Sequence, residues 1–277
     1  GINEMAYQQE PDSILWCVRD DGVFAGLTYQ RSENVIAWHR HKLGGTFGSG
    51  ASATGYGVVE SVASISGELT EDELYVIVKR TINGATKRYV EVFAPFDFDE
   101  TNSTDFRFLD SHLTYSGSST TTLSGLNHLE GQTVSILADG STHATKVVSS
   151  GSVTLDRSVT SAVVGLKYDS VLQTMRVEGG SAQGTSQGKI KRISKVVLRL
   201  FETVGAKVGP SLTDLETVPF RTTSSPMGQP VPTLIAGDKQ VEFRDDFNSD
   251  GFIFVKQDQP LPLSVLALYP TIVTNDG

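Results

Sequence analysis

The chain has 277 residues, enough for one large all-β domain or for two to three small domains, each with a hydrophobic core. Hydrophobic residues make up 38% and charged residues 20%, and the mean hydropathy is -0.12, which excludes an integral membrane protein and a highly charged disordered chain. The net charge of -9 disfavours binding of the whole chain to phosphate or anionic lipid, so nucleic-acid binding would need a local basic patch. One cysteine, Cys17, excludes an internal disulfide.

The first predicted elements form an antiparallel meander. Aromatic and β-branched residues separated by short turns predict three strands, at Ile14–Arg19, Val23–Tyr29 and Val35–His41. The first turn is Asp20-Asp21-Gly22, a composition typical of hairpins. This segment therefore indicates a three-stranded sheet.

A second meander follows a Gly/Ser/Ala-rich loop. Strands are predicted at Val58–Ile65, Leu74–Lys79 and Arg88–Phe93, and Asn83-Gly84 is a strong hairpin signal. Leu15 of the first meander and Leu74 of the second lie 59 residues apart, a spacing consistent with propeller blades. We expect a partial propeller-like β region over residues 1–95.

The composition changes after a proline-containing acidic stretch at 95–102. Alternating polar and apolar residues predict strands at Thr133–Ala138, Lys146–Val148, Ser152–Leu155 and Ala162–Leu166. We expect a small β-barrel or sandwich domain over residues 110–178.

The last region, 189–277, follows a Gly/Ser-rich connector. Apolar residues at three-and-four spacing predict one amphipathic helix over Lys189–Glu202. Strands are predicted after it, at Val241–Phe243, Phe252–Gln257 and Leu263–Tyr269, and this segment could complete the propeller-like region. The fold class is therefore mainly β with a single helix.

The predicted helix carries a basic face formed by Lys191, Arg192, Lys195 and Arg199. Such a face could grip a phosphate backbone, although a solvated polar face is the usual meaning of the pattern. In an acidic chain, a basic stripe also suits a contact between subunits. We take these four residues as a candidate interface.

Two motifs match enzyme signatures only in part. Gly184-Thr185-Ser186-Gln187-Gly188 has the form GxSxG, but no histidine follows His143, so the order of a serine hydrolase triad is not met. Gly188-Lys189 lacks the first glycine and the Ser or Thr of a phosphate-binding loop. A flexible linker explains both.

Three further patterns could hold a metal ion or do acid chemistry. His39 and His41 lie two apart in a predicted strand and could share a metal with Cys17, although hydrogen-bonded imidazoles are the simpler interpretation. Asp246–Gly251 resembles half of a calcium loop, but position twelve is Gln257 instead of Glu, and an Asx-rich turn explains the same residues. The acidic pairs Asp20-Asp21 and Asp245-Asp246 occupy turns. We expect no catalytic residue, metal or cofactor, and no enzyme activity.

Several segments, taken in order, resemble one known family. They are Ser13–Gly22 with Leu27–Tyr29 and Ala37–His41, Leu113–Gly117, Leu126–Gly140, Lys191–Lys195 and Gln257–Leu263. Together they are similar to tail proteins of short-tailed, podovirus-type bacteriophages: the nozzle or tubular tail subunits, also called phage stabilisation or structural proteins.

The resemblance implies a propeller-type region that ends near residue 95, followed by a platform-like domain. That domain is similar in fold to the first catalytic cysteine half-domain of ubiquitin-activating enzymes. No catalytic cysteine carries over, because residues 113–177 contain none. Members of the family are usually much longer, so we expect this chain to be a C-terminal portion.

The resemblance also implies function, location and partners. It implies a non-enzymatic virion structural protein of a phage or prophage tail, made in the bacterial host cytoplasm and assembled as a homo-oligomeric ring. Its partners would be sister subunits, other tail or adaptor proteins, and DNA that passes through the lumen without specific binding, with no membrane contact. The alternative is a tail-associated adhesin that binds host-surface glycan through exposed aromatics, and the candidates are Trp16, Trp38, Tyr56 and Tyr115. Because of their strand context, we expect buried core positions for both tryptophans.

Overall fold

The computed structural model describes residues 1–67, 71–95, 103–178, 180–181, 184–185, 187–221 and 234–275. Strands account for 63% of it and helical turns for 5%, and no described helix reaches seven residues. All described strand pairings are antiparallel, and none of the sheets closes on itself. The mainly-β prediction is confirmed. The chain divides into two units, Gly1–Asp99 with Leu109–Tyr168, and Glu100–Phe108 with Asp169–Gly277.

The first sheet is a four-stranded meander in the order β1-β2-β3-β4. Its strands are β1 (Ile2–Gln8), β2 (Ile14–Arg19), β3 (Phe24–Gln30) and β4 (Val35–His41). The three strands predicted from the sequence are confirmed, while β1 was not predicted. Gly22 supplies the positive φ of 75° that the β2–β3 turn needs.

The second sheet has three strands in the order β5-β6-β7: β5 (Val58–Ser66), β6 (Asp72–Ile82) and β7 (Ala85–Val92). All three were predicted. Asn83 and Gly84 have φ values of 48° and 73°, as a two-residue type I′ hairpin requires. One core joins the two sheets, with Trp16, Val18 and Phe24 on one side and Val59, Val62, Leu74, Val76 and Val78 on the other.

The third sheet, also in the first unit, has the order β10-β9-β11-β8. Its strands are β8 (Asp110–Ser124), β9 (Thr133–Ala138), β10 (Ser141–Val147) and β11 (Ser152–Leu166). The two strands predicted within 152–166 are one strand of 15 residues, interrupted by register shifts against β8. The polar stretch between them conceals this continuity, because a shift in register breaks the period-two alternation. The buried side chains of this sheet and its connecting turns form a separate hydrophobic core, which includes Leu129, Ile136 and Val164.

The second unit contains the remaining strands. They are β12 (Ser170–Gln173), β13 (Gly180–Ser181), β14 (Gly184–Thr185), β15 (Ile190–Thr203), β16 (Lys207–Ser211), β17 (Asp214–Thr217), β18 (Ile235–Glu242), β19 (Phe254–Gln257) and β20 (Ser264–Asn275). They form sheets in the orders β18-β15-β20 and β12-β19-β16-β17 and the two-stranded ladder β13-β14. Ile193, Val208 and Val255 belong to the core of this unit.

The predicted amphipathic helix over Lys189–Glu202 is wrong, because the segment is β15, the central strand of its sheet. Buried positions alternate along it, but a register shift between Ile193 and Lys195 inserts one extra residue. The step from buried Ile193 to buried Val196 is therefore three residues, which imitates a helical spacing. The β-branched residues of the segment favour the strand.

The predicted regions 1–95 and 110–178 fall mostly into one observed unit. Residues 169–178, which we expected in the 110–178 domain, belong to the second unit, where β12 pairs with β19.

Within the described residues, the structure contains no helix of the length and apolar character needed to cross a membrane.

Candidate interaction surface

The outer side of the first sheet is apolar and largely exposed, although Cys17 and Ala25 at its centre are buried. The side chains that share this side are set by the pairing of Tyr7 with Leu15, Leu15 with Leu27 and Leu27 with Trp38. Its exposed large side chains are Ile2, Met5, Tyr7, Tyr29, Ile36 and Trp38. We call these six residues the aromatic face.

The outer side of the second sheet is apolar over part of its length, whereas Lys79 and Arg88 on the same side pair with Glu60. Val92 pairs with Tyr75, and Val90 pairs with Ile77, so these side chains lie opposite the buried Leu74, Val76 and Val78. Ile65, Val90 and Val92 are its exposed large hydrophobic residues, and Val90 is 72% exposed. We call Ile65, Ile77, Val90 and Val92 the aliphatic face.

Contiguous apolar surface of this kind is uncommon on a protein that acts alone. Period-two alternation places one set of side chains in the core between the sheets and the other set on the outside. The two sheets of this pair therefore each offer a second packing surface, on opposite sides of one shared core. The aromatic and aliphatic faces are the candidate functional surfaces.

A shallow cleft of about 430 Å³ lies at one end of the aromatic face. Tyr7 and Tyr29 line it together with Ser13 and the polar residues Gln30, Arg31 and Glu33. Tyr7 and Tyr29 are 53% and 46% exposed. The cleft offers aromatic surface beside hydrogen-bonding groups.

The two histidines of the candidate metal site do come together, but on the inner side of the first sheet. His39 Nδ1 and His41 Nε2 are 2.7 Å apart, and His39 Nε2 lies 3.2 Å from Thr28 Oγ1. Burial, followed by the nearby His39, lowers the pKa of His41 to about 4. Burial also lowers the pKa of His39. Both imidazoles are therefore neutral near pH 7 and bond to each other, as the simpler interpretation predicted.

Cys17 does not join the histidines. It pairs with Ala25, whereas His39 pairs with Gly26, so alternation puts the thiol on the opposite side of the sheet. Cys17 is buried, and burial raises the pKa of its thiol. Across the described parts of the chain, no group of three or more His, Cys, Asp or Glu side chains is placed to hold a metal ion.

The four basic residues of the candidate interface do not share one face. Lys191 is fully buried, and its Nζ donates to the carbonyl oxygen of Val177 at 3.1 Å. Arg192 and Arg199 are exposed, and Arg199 makes two hydrogen bonds to Asp238 on β18. The loss of the shared face follows directly from strand geometry, in which neighbouring residues point to opposite sides. Arg192, Lys195 and Arg199 reach the surface and remain the predicted interface residues, whereas Lys191 is buried and cannot contact a partner.

The remaining motifs have structural roles where they are described. Asn248 Oδ1 accepts hydrogen bonds from the backbone N–H groups of Asp250 and Gly251, which is the Asx turn offered as the alternative to a calcium loop. Asp21 Oδ1 accepts from the backbone N–H of Val23, and Asp20 pairs with the terminal ammonium group. Ser186 of the GxSxG match lies outside the described residues.

The candidate glycan-binding aromatics fall into three groups. Trp16 is 5% exposed and stacks on Phe24 with ring centroids 4.9 Å apart, so it belongs to the core. Tyr56 and Tyr115 donate their hydroxyl protons to the backbone carbonyls of Asp21 and Ser118. Only Trp38, 61% exposed, presents most of its surface to solvent.

A buried polar cluster, which the sequence did not reveal, ties the first unit together. Arg80 is fully buried, donates to the Gly44 carbonyl through Nε at 2.7 Å, and makes a two-pronged ion pair with Glu91. The Gly44 N–H donates to Asp110 Oδ2 at 2.6 Å. Desolvation raises the pKa of Asp110 to about 6, against the opposing effects of this hydrogen bond and of Arg80. The cluster joins β6 and β7 to the start of β8.

Comparison with known proteins leaves the family open. No family model matches the sequence, and the comparison with curated proteins gives no match.

Proposed function

We propose that this chain is a non-enzymatic structural component of a bacteriophage or prophage tail, a subunit of the tail tube or nozzle ring. The observation that carries the proposal is the pair of uncovered apolar faces on opposite sides of one sheet pair. A protein with two such faces is suited to repeated packing, since each face needs a partner to leave water. The resemblance of the ordered sequence segments to podovirus-type tail proteins supplies the biological setting.

The finer architecture in this proposal is propeller-like. A four-stranded meander packed on a second meander through a shared core is the stacking expected of adjacent blades. The third sheet corresponds in the proposal to the platform-like domain. Extension of the sheet pair on both sides would give the continuous packing that a propeller requires.

The charge of the chain fits the role of a DNA conduit. With a net charge of -9, the ring wall offers the duplex few partners for its phosphates, so DNA slides instead of binding. Duplex DNA should not be retained by the protein at physiological salt. Retention that weakens steeply with added salt would contradict this part of the proposal.

Negative-stain electron microscopy of the protein over a concentration series tests the ring. The proposal predicts closed particles of uniform diameter with an axial channel wide enough for a DNA duplex. Particles without a channel, or single chains at every concentration, would refute it.

A glycan-binding adhesin is the second candidate, favoured by the cleft between Tyr7 and Tyr29 and by exposed Trp38. Aromatic faces beside hydrogen-bonding groups suit the alternating apolar and hydroxyl surfaces of a sugar. This candidate predicts that host-surface glycans quench the fluorescence of Trp38, and that Trp38→Phe abolishes the quenching. Buried Trp16 provides the unaffected signal within the same protein. A glycan array without hits would remove this candidate.

A further inference from the structure

We infer that the aromatic face of one copy of this chain packs on the aliphatic face of a second copy, forming a head-to-tail interface. The inference rests on the proposed ring function, because it names the surfaces through which neighbouring subunits meet. It commits to a second copy as the occupant of both faces.

The interior of the molecule already contains an interface of this chemistry. Between the first and second sheets, Trp16 and Phe24 pack against aliphatic side chains such as Val59 and Val76 and against one aromatic ring, Phe93, at the end of β7. The outer surfaces repeat the same division, with Tyr7, Tyr29 and Trp38 exposed outside the first sheet, and with Ile65, Val90 and Val92 exposed beside half-buried Tyr75 outside the second. Contact between the two outer surfaces would reproduce the kind of packing that already joins the first and second sheets.

The size of the aromatic face is sufficient for a specific contact. Its six side chains are between 46% and 68% exposed. Together they present roughly 800 Å² of accessible surface, which is what one partner contributes to an interface of standard size. The aliphatic face exposes fewer large side chains, so it would form the centre of the opposing surface.

Each face also carries one charge without a described ion pair, and the two are of opposite sign; Lys79 and Arg88, on the same side as Val90, are both paired with Glu60. Arg40 is exposed on the aromatic side and has no ion pair among the described residues. Glu73 is exposed on the aliphatic side, where its carboxylate accepts a hydrogen bond from Tyr75 at 2.6 Å and has no described cationic partner. A head-to-tail contact brings these opposite charges to the same interface, whereas contact between two aromatic faces would oppose two arginines.

Because the two faces differ, the contact is heterologous. A heterologous contact leaves one free face at each end of a dimer, so association continues until a ring closes. Two unlike faces are therefore the arrangement that a homo-oligomeric ring requires.

The experiment measures the mass of the whole chain by sedimentation velocity over a concentration series, with three single variants. Trp38→Glu places a charge in the aromatic face, and Val90→Glu places one in the aliphatic face. Val147→Glu is the matched control, because Val147 is 60% exposed and also lies on an edge strand, β10, away from both faces. Thermal unfolding confirms that each variant stays folded, as expected for exposed positions.

We expect the wild type and Val147→Glu to assemble alike, and each of the other two variants to raise the dissociation constant at least 100-fold. An equimolar mixture of Trp38→Glu and Val90→Glu should form a 1:1 dimer and no larger species, because each variant retains the face that the other lacks. This complementation is specific to a head-to-tail contact.

Three results would overturn the inference. Assembly that neither variant changes would place the interface elsewhere and leave the proposed ring function standing. Self-association of Val90→Glu alone would show a symmetric contact between aromatic faces. A wild type that is monomeric at every concentration would overturn both the inference and the ring.

Discussion

Replacement of Asp110 by asparagine should remove a specific part of the pH dependence of folding. The Asp110 carboxylate lies within the protein, although the residue as a whole is partly exposed. Its surroundings hold Arg80, Glu91 and Tyr168, and desolvation dominates, raising the pKa from 3.8 to about 6. The folded state therefore favours the protonated acid.

The sign and size of the effect follow from the shift in pKa. The folded state is at its most stable, as far as Asp110 is concerned, below about pH 4, where this carboxyl group is protonated in both the folded and the unfolded chain. That contribution to stability is lost as the pH rises through about 6, because the folded protein must then bury a charged carboxylate. The shift corresponds to at most about 3 kcal/mol of unfolding free energy. Asparagine keeps an oxygen that can accept from the Gly44 N–H but carries no charge, so its contribution does not vary with pH.

The assay is urea unfolding of the wild type and of Asp110→Asn at half-unit steps from pH 4 to pH 7.5. The stability of the variant relative to the wild type should rise with pH by up to about 3 kcal/mol, mostly between pH 4 and 6. Asp214→Asn, at an exposed aspartate of the other unit, controls for the loss of a surface carboxylate. A flat difference curve for Asp110→Asn, or one that falls with pH, would refute the reasoning.

Three further outcomes are expected. In the Asp110→Asn variant, the free energy of unfolding should decrease as the pH falls from about 6.5 to 4, because the lowered pKa of His41 makes its protonation unfavourable in the folded state. Addition of His41→Phe to this variant should make the decrease smaller in the same titration. Lys191→Glu should lower the free energy of unfolding by several kcal/mol in chemical denaturation, because it buries an unpaired carboxylate. Arg192→Glu, at the exposed neighbouring position, should lower it by less than about 1 kcal/mol. Equal effects of the two substitutions would contradict the assignment of this segment as a β strand. Trp16→Ala should cost about 3–5 kcal/mol, and Trp38→Ala about 1 kcal/mol or less at concentrations where the chain is monomeric, as measured by thermal or urea unfolding.

The β strands were predictable where turn chemistry and alternation agreed. Asn83-Gly84 fixed the β6–β7 hairpin, because both residues tolerate the positive φ that the turn needs. In β15, the inserted residue at Ile193–Lys195 broke the alternation, and the sequence then matched a helical period instead. Single-residue shifts of this kind leave no local signal, since they depend on pairing with distant strands such as β20.

The candidate surfaces were only partly predictable. The strand pattern placed Trp16 and Trp38 in the first and third strands of one predicted meander, but which of them faces the core depends on which side of the sheet is covered. The side that becomes buried is the one on which β5–β7 pack, and these strands begin more than 40 residues after Trp16 in the chain. The Arg80–Glu91 pair and Asp110 were missed for the same reason, because their proximity arises only when β6, β7 and β8 come together.

The mass of the protein in solution tests the central claim most directly. Light scattering over a concentration series at two salt concentrations should give a plateau at an integer multiple of the 29.8 kDa chain, as a closed ring requires. Because the proposed contact is mainly apolar, the plateau should change little with salt. A mass of one chain at every concentration, or a mass that grows without a plateau, would contradict the account.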